Sequence, residues 1–75
     1  MGHNYAKPAT LAQRFERVMN RLPEHWTVKI ERAEGSGTWR ALVHAPGVEG
    51  RWAEGDPDAV TALENAWRLN RPPAG

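Results

Sequence analysis

The sequence predicts an α+β fold: a helix, a three-stranded antiparallel meander and a second helix (αβββα), with both helices on one face of the sheet. Three observations carry this expectation. Apolar residues recur at helical spacing near each end of the chain and at alternate positions between them. Capping residues precede both helical stretches, and turn residues separate the alternating runs.

Thr10-Leu11-Ala12-Gln13 has the spacing of a capping box, in which the threonine hydroxyl and the glutamine side chain each satisfy a free backbone N–H. Leu11, Phe15, Val18, Met19 and Leu22 follow as one apolar stripe until Pro23 stops the helix. From Trp26 the period becomes two. Trp26, Val28 and Ile30 point one way, and Thr27, Lys29 and Glu31 the other.

Glu34-Gly35-Ser36-Gly37 reads as the loop of a hairpin, after which Trp39, Ala41 and Val43 alternate with Arg40, Leu42 and His44. Pairing Ala33 with Thr38 sets Val28 opposite Val43 and Ile30 opposite Ala41, so both alternations agree on the buried face. Pro46-Gly47 suits the centre of a type II turn, with proline fixing the first φ and glycine supplying the positive second one. Pairing His44 with Glu49 then places Ala41 opposite Trp52 and Val43 opposite Gly50. A glycine there marks a bulge or the close approach of a helix.

Gly55 is expected to end the third strand, Asp56 to cap the second helix, Pro57 to take its first position and Asp58 to complement its positive end. Ala59, Val60, Leu63, Ala66 and Trp67 form its apolar face, and Pro72-Pro73 stop it. Residues 1–9 are expected to be a flexible N-terminus, 10–71 the single domain and 72–75 a C-terminal tail.

One domain of 75 residues without cysteine has neither disulfides nor a thiolate metal site to stabilise it, so apolar packing must do so. The four tryptophans are expected to anchor that core, with Trp39 and Trp52 at one end of the buried face and Trp26 beside Trp67 at the other. The formal charge of +1 is far from the basic excess of most nucleic-acid domains. No apolar run reaches the ~20 residues of a membrane span, and the expected location is cytoplasmic.

His3, His25 and His44 lack the spacing that presents two imidazoles to one metal. The lone Ser36 sits in a turn, and Gly35-Ser36-Gly37 joins two strands, whereas a phosphate loop opens a helix. Glu54, Asp56 and Asp58 cluster at the strand-to-helix junction, where helix capping alone favours acids. The reading is a protein with no catalytic constellation, no cofactor and no metal.

The patterned charge is on the first helix, where Arg14, Arg17 and Arg21 share one side with no acid at pairing distance along the helix. The open sheet face is expected to show Thr27, Lys29, Glu31, Arg40, Leu42, His44, Glu49 and Arg51, mixed in sign and suited to a protein. Candidate partner-binding residues are therefore Arg14, Arg17, Arg21, Lys29, Arg40, Leu42 and Arg51.

Residues 26–70 resemble the partial-RNase-H-like domain of HicB-type antitoxins. The segments are WTVKIERAEGSGTWRALV, then APGV, then EGDPDAV, with Pro46, Gly47, Val48, Gly55, Asp56, Asp58 and Ala59 matching in kind. That resemblance implies inhibition of a protein by a protein. The element order also looks like the double-stranded RNA-binding domain, but Asp56 and Asp58 stand where that family places phosphate-holding lysines, so this likeness implies architecture without RNA activity.

The expected function is a small non-enzymatic protein-binding module, such as an antitoxin-like or phage-encoded inhibitor (an anti-CRISPR protein, for example) that occludes a nuclease or other nucleic-acid-processing protein. Nucleic-acid binding through the arginine stripe, and a structural or accessory subunit, are the alternatives. The chain would act as a monomer or homodimer.

Overall fold

A computed structural model describes residues 9–72. The elements run α1 (Leu11–Arg21), β1 (Thr27–Arg32), β2 (Trp39–His44), β3 (Ala53–Asp56) and α2 (Ala59–Asn70), with the strands in the order β1-β2-β3 and both ladders antiparallel. This is the expected αβββα order. His3, Pro73 and most of the expected flexible ends lie outside the described residues.

The local signals act as their chemistry requires. Thr10 Oγ1 accepts from the Gln13 N–H (3.1 Å) while Gln13 Oε1 accepts from the Thr10 N–H (3.0 Å), closing the capping box. Val28 pairs with Val43 and Ile30 with Ala41, and the Ala33 N–H donates to Thr38 at 2.8 Å to close the hairpin loop. The Val48 N–H donates to the Ala45 carbonyl at 3.1 Å across Pro46-Gly47, where Gly47 takes φ +73°.

The core lies between the sheet and the helices. Ala41, Val43 and Ala53 supply the sheet side, Ala62, Leu63 and Ala66 the α2 side, and Val18 and Leu22 the contribution of α1. Four of these eight residues are alanines, whose small side chains let the backbone of α2 lie directly on β2. Helix α1 is more distant: α2 is the element that approaches it closely, and Val18 and Leu22 alone are buried on it or its cap. Trp26 and Trp67 meet with ring centroids 5.6 Å apart at 57°, and with Trp39 they pack against the cluster as expected.

The third strand departs from the expected register. Ala53, not Trp52, stands opposite Ala41, and Trp39 pairs with Asp56, so two residues of β3, Glu54 and Gly55, oppose the single Arg40. Gly55, expected to end the strand, is instead the left-handed residue (φ +78°) that allows this bulge. One residue of slip exchanges the faces. Ala53 therefore enters the core, while Trp52 leaves it and lies under the Arg40 guanidinium, 4.3 Å from the ring centroid.

The cap of α2 also moves by two residues. Asp58, not Asp56, is the N-cap, accepting from the Thr61 N–H at 2.7 Å, and Pro57 precedes the helix. Asp56 belongs to β3 and accepts from Asn65 Nδ2 at 2.8 Å.

Candidate functional site

Arg14 lies on the flank of α1 that meets α2. Its Nε and Nη2 donate to the two carboxylate oxygens of Glu64 at 3.0 and 2.6 Å, and Nη2 also donates to Thr61 Oγ1 at 2.9 Å. The Thr61 hydroxyl in turn donates to Asp58 Oδ2 at 3.0 Å. The acid that α1 does not offer Arg14 at pairing spacing therefore comes from the other helix, and a bidentate pair of this kind fixes geometry as well as charge. Arg14, a candidate contact residue, is an interhelical clasp.

The clasp has a pH signature. The Arg14 hydrogen bond holds the Glu64 carboxyl below its ordinary range, and the Thr61 N–H does the same for Asp58. Groups with lowered folded-state pKa values stabilise the fold fully above their unfolded values, about 4.3 for Glu and 3.9 for Asp, and lose that contribution as pH falls through the folded values. The melting temperature should therefore drop as pH is lowered from about 5 to 3, and Glu64→Gln should flatten the slope while lowering stability at pH 7. A thermal melt series showing equal slopes for the two proteins would refute the clasp.

Beyond Arg14, the same flank carries Arg17 and Arg21. With Val18 they face Glu64, Trp67, Arg68 and Arg71 of the α2 side across a cleft of about 150 Å³. Sequence spacing placed the first three arginines on one side of a helix. It could not show that Arg68 and Arg71, which complement the negative end of α2 by themselves, would join them.

The other flank of α1 was expected to be core and is not. Leu11, Phe15 and Met19 are 49%, 43% and 38% exposed. Spaced four residues apart, they form an apolar ridge beside the buried seam of Val18 and Leu22. The sequence carries no sign of this, because a stripe of this width is ordinary for a helix that faces a core.

The open sheet face, by contrast, largely satisfies itself. Arg40 donates through Nε and Nη2 to Glu31 Oε1 at 2.8 and 2.5 Å and covers Trp52. Leu42, expected to be an exposed contact, is only 7% exposed, because Gly50 packs against it. Arg51 is exposed, but its backbone is held by Asn70, which accepts from the Arg51 N–H (2.7 Å) and donates to the Arg51 carbonyl (2.8 Å). Lys29 is exposed on β1.

No protein family model matches the chain, and no curated protein or solved structure is significantly similar to it. Its surface chemistry is therefore what bears on function.

Glu54, Asp56 and Asp58 do not converge: Asp58 caps α2, Asp56 is held by Asn65 and Glu54 lies exposed in the bulge. Among the described residues no three His, Asp or Glu side chains group as metal ligands, and no helix is long and apolar enough to cross a membrane.

Proposed function

We propose that this chain is a small non-catalytic protein-binding module that presents the outer flank of α1 to its partner. The supporting observation is the exposed ridge of Leu11, Phe15 and Met19, three large apolar side chains outside a core cluster of eight buried residues among those described. An amphipathic helix offering anchors four residues apart suits an apolar groove on another protein. Occlusion of a nucleic-acid-processing protein, in the manner of an antitoxin-like or phage-encoded inhibitor, is the specific form this reading takes.

The test is affinity capture from host lysate after nuclease treatment, comparing the wild type with Phe15→Asp/Met19→Asp. Proteins retained by the wild type should be lost by the double variant, and affinity for the captured protein should fall at least ~30-fold, as for a hot spot worth about 2 kcal/mol. Circular dichroism should show the variant folded, since it adds charge only at exposed sites. Retention of the same proteins by both, or loss of every partner on nuclease treatment, would overturn the reading.

A further inference from the structure

Of ten Lys and Arg residues only Lys7 and Lys29 are lysines, and five of the eight arginines line one cleft between α1 and α2. Arg14, Arg17, Arg21, Arg68 and Arg71 face one acid there, Glu64, which Arg14 already engages. Five positive charges against one negative leave +4. Arg21 ends α1 and Arg71 caps α2, so the two helix C-termini contribute about −0.5 each, which leaves roughly +3. Among the described residues Arg17, Arg21, Arg68 and Arg71 make no salt bridge, and Arg68 donates only to the neutral Asn65, at 3.1 Å. The cleft thus carries a net positive charge that Glu64 and the helix ends only partly offset.

We infer that this cleft is a binding site for a compact phosphate group, either a phosphate monoester or a diphosphate. The geometry favours that chemistry over two alternatives. One carboxylate has two oxygens and can occupy one or two guanidinium forks, whereas the terminal phosphate has three oxygens and up to two charges to share among four arginines. A nucleic-acid backbone needs a track. Of the other three arginines, none of which lines the cleft, Arg32 lies over Trp39, Arg40 is bound to Glu31 and Arg51 stands on the segment tied to Asn70. The apolar ridge of α1 is on the opposite flank of that helix, so this inference does not depend on the proposed protein contact.

The probe is inorganic pyrophosphate, compared with sodium chloride at equal ionic strength in thermal melts of the full chain. At ten times its dissociation constant pyrophosphate should raise the wild-type melting temperature by about 5–10 °C. Arg17→Gln/Arg68→Gln, which leaves the Arg14–Glu64 bonds in place, should melt within a few degrees of the wild type without ligand and lose most of that response; Arg71→Gln should lose part of it. An equal rise in wild type and double variant would indicate general exclusion of the anion from protein surface and would overturn the site, as would no rise in the wild type. Competition then separates the sources: tighter binding of a nucleoside diphosphate than of a phosphoserine peptide assigns a small ligand, and the reverse order a modified protein. An oligonucleotide that binds and is not displaced by pyrophosphate would replace the compact site with an extended one.

Discussion

Leu63→Ala is expected to cost about 2–5 kcal/mol, toward the upper end of that range. Leu63 and Val43 are the largest side chains wholly removed from solvent, and Leu63 projects from α2 into a cluster otherwise rich in alanine. Alanines have no rotamer with which to refill a cavity, so relaxation would need α2 to move bodily against β2. A domain of 75 residues has about 4–11 kcal/mol of stability in all. The substitution should therefore lower the urea midpoint by a large fraction of its value with little change in slope. Leu69→Ala, on the same helix but 47% exposed, supplies the comparison and should change stability by no more than about 0.5 kcal/mol. Similar midpoints for the two variants would mean that the core is not where Leu63 places it.

The expected and observed structures agree where the signal is local. The capping box of α1, the register of β1 with β2 and the turn at Pro46-Gly47 each depend on residues within a few positions of one another, and each forms as the residues dictate. The misread third strand has two irregularities: residues 48–52 return without strand pairing, which already sets Ala53 opposite Ala41, and the bulge at Glu54 and Gly55 adds a second slip that sets Asp56 opposite Trp39. Counting strictly from the Pro46-Gly47 turn placed Trp52 in the core. Tryptophan is the more apolar choice, but Ala53 is the one that allows α2 to lie close to the sheet. The candidate site was legible to a similar degree. Spacing placed Arg14, Arg17 and Arg21 on one flank, while the pairing of Arg14 with Glu64 and the arrival of Arg68 and Arg71 depend on how the helices dock. Helix docking is set by side-chain volumes across the whole core, which no single window of sequence contains.

Gly50→Val is expected to destabilise the protein by about 1–3 kcal/mol through collision. A Cβ at this position would stand 2.7 Å from Leu42 Cδ1, 2.8 Å from His44 Cβ and 3.1 Å from the Val43 carbonyl oxygen. Leu42 can turn aside, but His44 Cβ and the carbonyl are fixed by the β2 backbone, so the 49–51 segment must retreat. Retreat would uncover Leu42 and pull Arg51 from Asn70, whose side chain ties that segment to the end of α2 by accepting from the Arg51 N–H and donating to its carbonyl. Gly47→Ala offers a contrast, because Gly47 meets nothing within 4 Å and resists substitution only through its φ of +73°, a strain of about 1–2 kcal/mol confined to the turn. Amide hydrogen exchange separates the two mechanisms. The Arg51 amide should lose protection in Gly50→Val beyond what global destabilisation explains, and should keep it, relative to the global value, in Gly47→Ala. Unchanged Arg51 protection in Gly50→Val would show that the segment does not depend on its close approach to β2.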